Sequence, residues 1–397
     1  MHGGIIRLFE IRSCHGYGGF FITIIILKRY DVTKYLRFEA VAVVDEGEVY
    51  GADYDFNALF RLDIKTGDCK YIAMFPEERI EARRLYTSAI VVGERIYFIP
   101  TVADNIDIYN TVTGKFTIIP IRSVDKNKYS GYHIAQKFFT ATLYKKYIYM
   151  LPATYPGIVR IDTTDNTLEY FDSWVEENIY SFRKSVAVDD NYLYIPSAIN
   201  DIVLKFDMDS CVGQILHVGT ENKGCWGICK VGEYFWMSPS GSGAIIKWNP
   251  STGDTEEYSD YPKDFNRENY GFTKIYYKDN KIKLIPSYAN MGIQLYCNEA
   301  VISKVEYSGI SELEVTRFMF ELGKYVYLNI CTKSDEEHIR LNMDNDECEK
   351  FAFVFSYNKE AYMQDLHDRL SCDKRVVRET KDISLDVYLK AISEKTC

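Results

Sequence analysis

The sequence predicts an all-β chain: a seven-bladed β-propeller of four-stranded antiparallel blades, with a short helical C-terminal extension. Three recurrences lead there. An aromatic residue sits in the second apolar run of each unit, at Tyr50, Tyr97, Tyr149, Tyr194, Trp236 and Tyr327, with Lys283 in its place in the sixth copy. Proline closes that run at Pro100, Pro152, Pro196, Pro239 and Pro286. The next run ends at Asp63, Asn110, Asp162, Asp207, Asn249, Cys297 and Asn342, with successive anchors 47, 52, 45, 42, 48 and 45 residues apart. A period of this length marks a stacked repeat.

Each unit holds about four short runs rich in Ile, Val, Tyr and Phe, with no helical periodicity between them. In the second unit the strands are expected at Ser88 to Val92, Arg95 to Ile99, Asn105 to Tyr109 and Lys115 to Ile119. Gly93-Glu94 suits a hairpin turn, and Thr113-Gly114 lets the backbone take positive φ before the last strand. Thr66-Gly67, Thr252-Gly253, Asp165-Asn166 and Asp344-Asn345 repeat that turn, since Asn and Asp tolerate the left-handed region. A lone four-stranded sheet cannot bury both faces. Seven of them around an axis cover one another and leave only short outer edges.

The propeller is expected over 36–356, flanked by an N-terminal extension, 1–35, and a C-terminal one, 357–397. In the first, the apolar run from Phe20 to Leu27 is far too short to span a bilayer and reads as an extra strand or an irregular cover. In the second, Tyr362, Leu366 and Leu370 recur every four residues, as in an amphipathic helix, and Ile383 to Ile392 suggests another, capped at Ser384.

The 397 residues are 47% hydrophobic and 26% charged, which excludes wholesale disorder. A net charge of -10 with no basic stripe argues against nucleic-acid binding. The ten cysteines are scattered through a large chain, unlike a small secreted disulfide framework, so reduced thiols and a cytoplasmic location are expected. Cys225 and Cys229, four positions apart on a regular strand, would point the same way and stand about 13 Å apart, too far to bridge.

The innermost strand of each blade should present its first residues to the axis at one mouth. Counting back from each hairpin turn gives Tyr86, Phe138, Phe182, Cys225 with its neighbour Trp226, and Phe272, an aromatic collar. Arg83, Arg84, Lys137, Arg183, Lys184, Lys274 and Arg317 fall beside it. Cations gathered in a narrow mouth concentrate an anion, and arginine takes a carboxylate or phosphate through two parallel hydrogen bonds. The expected ligand-binding set is therefore Arg84, Tyr86, Phe182, Arg183, Trp226, Phe272, Lys274 and Arg317. The loops after the repeated prolines should open on the same face.

Familiar catalytic signatures are missing from the sequence. None of the six histidines stands in a close metal-binding pair, no metal or cofactor is expected, and His133 is the one histidine placed near the mouth. Should the chain be an enzyme, His133, Arg183 and Arg317 are the residues it would use.

The stretches Gly157-Ile-Val-Arg-Ile-Asp-Thr-Thr-Asp-Asn-Thr-Leu168 and Ala244-Ile-Ile-Lys-Trp-Asn-Pro-Ser-Thr-Gly-Asp254 resemble bacterial propeller repeats of the kelch-like and YVTN-like type. The double glycine of true kelch units and the Trp-Asp ending of WD repeats are absent. The resemblance implies architecture and leaves activity open, since such folds serve as binders, lyases, hydrolases and oxidases. The metal ligands and crosslinked cysteine of the copper-oxidase members have no match here. The leading reading is a non-catalytic binding or scaffold propeller taking a glycan, peptide or partner protein, preferably anionic. The alternative is a lyase or hydrolase acting on a polyanionic, for example uronate-containing, substrate. Oligomeric state is left open by the sequence.

Overall fold

The structure, a computed structural model, describes residues 38–355 apart from 46, 55–56, 80–81, 125–135, 176–180, 220–222, 242, 268–270, 300, 309–314, 332–335 and 352–353. The expected N-terminal strand, both C-terminal helices and His133 lie outside the described residues, as does the Arg317 side chain.

Seven sheets are present, each built from four strands that follow one another outward in chain order. The innermost strands are Phe38–Val43, Tyr86–Val92, Phe138–Tyr144, Ala187–Asp189, Cys225–Val231, Phe272–Lys278 and Val315–Leu322. Neighbouring innermost strands pack together except between blades three and four, which join through their apolar cluster, and that of blade seven packs on that of blade one, so the ring closes. The second blade continues through Arg95–Pro100, Asn105–Asn110 and Phe116–Pro120, within two residues of the sequence expectation at every end.

Closure has a second component. After the outermost strand of blade seven, Val354–Phe355 runs parallel to Asp68–Ala73, the outermost strand of blade one, with Val354 opposite Asp68 and Phe355 opposite Cys69. Blade one therefore has five strands. Its outer edge, a row of otherwise unpaired N–H and C=O groups, is covered in part by the other end of the propeller.

One apolar cluster fills each gap between blades. Between blades seven and one, Phe38, Val49, Leu62 and Tyr71 meet Phe320 and Tyr327, whose rings stack 4.4 Å apart. Between one and two, Tyr50, Ala52 and Phe75 meet Tyr86, Phe98 and Tyr109. Burying each such ring contributes about 2–3 kcal/mol, which is why the repeat keeps large side chains where its sheets face.

The recurring aromatic of the second strand also reaches the next blade. The Tyr97 hydroxyl donates to the Asn166 side chain in the turn of blade three, and the Tyr149 hydroxyl donates to the Met208 carbonyl of blade four at 2.5 Å. Lys283 makes the same reach by charge: its Nζ lies 2.7 Å from both carboxylate oxygens of Asp346 in blade seven, and only 4% of the residue is exposed.

The Asp and Asn anchors cap the turn after the third strand. Asp63 Oδ1 accepts from the Lys65 and Thr66 amides, Asn110 Oδ1 from those of Val112 and Thr113, and Asp207 Oδ1 from those of Asp209 and Ser210. Asp162, Asn249 and Asn342 do likewise. A short side-chain acceptor satisfies amides that the turning backbone cannot, and that requirement generates the repeat.

Candidate binding site at the channel mouth

A period-two strand would send alternate side chains to the two neighbouring blades. Five of the seven innermost strands break that rule at one shared position. The pairing with the second strand shifts between Phe38 and Ala40, Tyr86 and Ser88, Phe138 and Thr140, Cys225 and Gly227, and Phe272 and Lys274. A single residue is left over each time: Glu39, Thr87, Phe139, Trp226 and Thr273. This is a β-bulge, which flips the parity of everything before it.

Packing confirms the flip. Phe38 and Val41 face blade seven while Ala40 faces blade two; Tyr86 and Ala89 face blade one; Phe272 and Ile275 face blade five. Side chains three apart thus share a face. Cys225 packs among blade-four residues and Cys229 against the blade-six cluster, so the two thiols point to opposite neighbours, which corrects the expectation of a common face. The six cysteines whose side chains are described, Cys69, Cys211, Cys225, Cys229, Cys297 and Cys348, are unbridged.

The bulge also relocates the expected collar. Tyr86, Phe138, Phe182 and Phe272 are each 1% exposed or less, and Cys225 is 5% exposed, because each turns back against the preceding blade. Tyr86 is further committed by its hydroxyl, which hydrogen-bonds to the buried Asp107 carboxylate. Thr87 stays buried, its hydroxyl bonded to the Thr101 hydroxyl and to the Phe138 and Phe139 carbonyls, while the channel receives the other four leftover residues and their neighbours.

Those residues line a cavity of about 610 Å³ at the end where the innermost strands begin. Its wall includes Glu39, Tyr54, Arg84, Phe139, Arg183, Lys184, Trp226, Thr273, Lys274 and Tyr288. Arg84, Arg183, Trp226 and Lys274 of the expected set come together here; Tyr86, Phe182 and Phe272 stand behind the wall. Arg83 is exposed outside it. Lys137 bonds the Val102 and Ala103 carbonyls and Asp104. Lys184, expected beside the collar, is on the wall too, while Glu39, Tyr54 and Phe139 were missed by the sequence reading.

Four cations face one carboxylate on this wall. Arg84 Nε donates to Glu39 Oε2 at 3.1 Å, and Lys184 Nζ lies 3.8 Å from the same oxygen. Arg84 is aimed by a left-handed backbone, φ +56°, whose amide donates to the Tyr54 carbonyl. The Arg183 guanidinium sits between two rings, 4.8 Å from the centre of Trp226 and 5.4 Å from that of Phe139. Burial pulls the Lys184 pKa below the ordinary lysine value, with Glu39 opposing the pull and Arg84 adding to it. Burial likewise lowers Lys274, to about 8, while Cys229 works against it. The Lys274 Nζ pairs with Glu321. An ammonium that is poorly solvated gains most from an incoming anion.

The two described histidines are elsewhere. His217 Nδ1 lies 2.9 Å from Asp201 on an outermost strand, and His338 is 4% exposed in the third strand of blade seven. Among the described residues, no group of three or more His, Cys, Asp or Glu side chains is placed to hold a metal, and no helix is long and apolar enough to cross a membrane.

No family model matches the chain, and no characterised protein matches it in sequence. Solved structures do match in shape. Virginiamycin B lyase from Staphylococcus aureus is similar at 17% identity and a TM-score of 0.56, over 76% of this chain and 93% of that one. A streptogramin B lyase is similar at 17% identity and 0.54, over 81% and 96%. BamB from Moraxella catarrhalis follows at 13% identity and 0.49, over 72% and 79%. Identities this low extend to the propeller fold alone.

Proposed function

We propose that this propeller is a non-catalytic binding module that takes an anionic ligand, borne on a glycan, a peptide or a partner protein, in the mouth cavity. The observation carrying this reading is Arg183 between Trp226 and Phe139, with Arg84 and Lys184 already sharing one carboxylate, Glu39. Rings on both sides hold the guanidinium in place and keep water from it, while its fork stays suited to a carboxylate or phosphate. A volume near 610 Å³ is within the range of pockets that enclose a small ligand or a few residues of a chain. In a protein of net charge -10, this is a local reversal of sign, and a low-dielectric funnel strengthens it.

The alternative of a lyase or hydrolase on a polyanionic substrate draws on fold likeness, and none of the described wall residues is a histidine. His133, the residue that reading would need, has no described position. The cytoplasmic location drawn from the scattered cysteines belongs to this proposal too.

The test is a thermal-shift screen of the whole chain against glycans, phosphates and di- and tricarboxylates, repeated on Arg183→Ala and Trp226→Ala. A stabilising anion whose effect both substitutions abolish supports the mouth site. Shifts left intact by both would sink it.

A further inference from the structure

Three large apolar side chains stay exposed on the loops that follow the repeated second strand: Val102 at 43%, Ile199 at 50% and Tyr288 at 38%. Single exposed hydrophobic residues are ordinary. These three come from blades two, four and six, on loops at the end where the cavity opens. Tyr288 lines it. The Val102 carbonyl accepts from Lys137 Nζ, next to the wall residue Gln136. Ile199 follows Ala198, whose backbone closes on Gly224, two residues before Trp226. Apolar contacts thus stand on alternate blades around a cationic well.

A small anion would be satisfied by the well and leave all three untouched. Nucleic acid is disfavoured by the overall charge and by the confinement of the cations to a pit. A polypeptide loop or terminus has the needed form: a carboxylate to enter the well and apolar neighbours on both sides to meet the rim. Interfaces commonly join a charged anchor to surrounding apolar area in this way.

We propose that the mouth captures an acidic segment of a partner protein, its carboxylate seated among Arg84, Arg183 and Lys184 and its apolar flanks on Val102, Ile199 and Tyr288. This rests on the anion-binding reading above and adds the partner class and the rim. Recognition then has two separable parts. The well selects charge, and the rim selects what stands beside it.

The experiment is selection from a display library of short random peptides on the full-length chain, followed by anisotropy measurements with the enriched peptides. Enriched sequences are expected to share an Asp or Glu with Leu, Ile or Phe on either side. Ile199→Asp and Val102→Asp, at exposed positions that leave the fold alone, should each weaken binding about tenfold, and Arg183→Ala by at least as much. Acidic peptides with no apolar preference and no response to Ile199→Asp would overturn the rim while leaving the well as an anion site. Enriched peptides without acidic residues, or indifferent to Arg183→Ala, would overturn both readings. No enrichment at all, with free anions still raising the melting temperature, would overturn the peptide inference only.

Discussion

The Arg183 guanidinium carbon stands 4.8 Å above the Trp226 ring, joining blade four to blade five across the mouth. A cation laid on an indole is worth about 0.5–2 kcal/mol, the upper value applying where water is excluded. Arg183→Lys keeps the charge and loses the planar fork, so anion affinity should fall severalfold, and less than for Arg183→Ala. Calorimetric titration with whichever anion stabilises the protein decides this; equal affinity of the lysine and arginine forms would mean that charge alone is used.

Glu39 is the one carboxylate on the described cavity wall and holds both Arg84 and Lys184. Glu39→Gln should release them and raise anion affinity roughly fivefold, while costing under about 1 kcal/mol of stability because the pair is part-exposed. Affinity that drops in this variant would show that Glu39 positions the cations more than it competes with the ligand.

Lys283 and Asp346 join blade six to blade seven. Lys283→Ala leaves a carboxylate at the interface without its partner and should cost about 3 kcal/mol in urea unfolding. Lys283→Tyr, the residue most other blades use, should recover a large share through ring packing and a hydroxyl within reach of Asp346. A tyrosine variant no better than alanine would refute the equivalence of the two solutions.

Gly224 is fixed by closeness. A Cβ there would lie 2.2 Å from the Ala198 carbonyl carbon and 2.3 Å from its oxygen, backbone atoms that cannot turn aside. Gly224→Ala should cost more than about 3 kcal/mol or abolish folding. Gly47→Ala, whose nearest atom is the flexible Lys65 side chain at 3.5 Å, should be close to neutral.

Alkaline pH should unfold the protein through its thiols. Burial raises Cys225 and Cys229 from 9.0 to about 12, so in the folded state they hold protons that the unfolded chain releases. Their contribution is complete below pH 9 and is lost as pH rises from 9 towards 12. Lys274, lowered from 10.5 to about 8, acts oppositely, its burial penalty fading as pH climbs through 8 to 10.5. Burial raises Cys69, Cys211, Cys297 and Cys348 as well and lowers Lys184 beside Lys274, so the raised thiols outnumber the lowered amines and denaturant midpoints should fall above pH 9. The fall should shrink in a Cys225→Ser variant.

The ring was legible because three local requirements repeat: an aromatic reaching the next blade, a proline ending the second strand, and an Asp or Asn capping a turn. The cations Arg84, Arg183 and Lys274 were legible for a similar reason, as charges beside an anticipated mouth. The wall's phase was not. A bulge adds one residue without altering composition, and its only local trace is two bulky neighbours where alternation asks for one, as in Phe138-Phe139 and Cys225-Trp226. Glu39 gave no such trace, since one acid on a strand reads as a solvated face until Arg84, 45 positions away, is brought to it. The parallel strand Val354–Phe355 was equally hidden, because two residues carry no periodicity.

In four of the innermost strands the leftover residue faces the cavity and joins neither adjoining cluster. It is glutamate, phenylalanine, tryptophan and threonine in four uses of one backbone plan, whereas the residue before it, Phe38, Phe138, Cys225 or Phe272, stays bound to its cluster. Chemistry at the axis can therefore change one side chain at a time without disturbing how the sheets fit, much as interchangeable bits fit a common chuck.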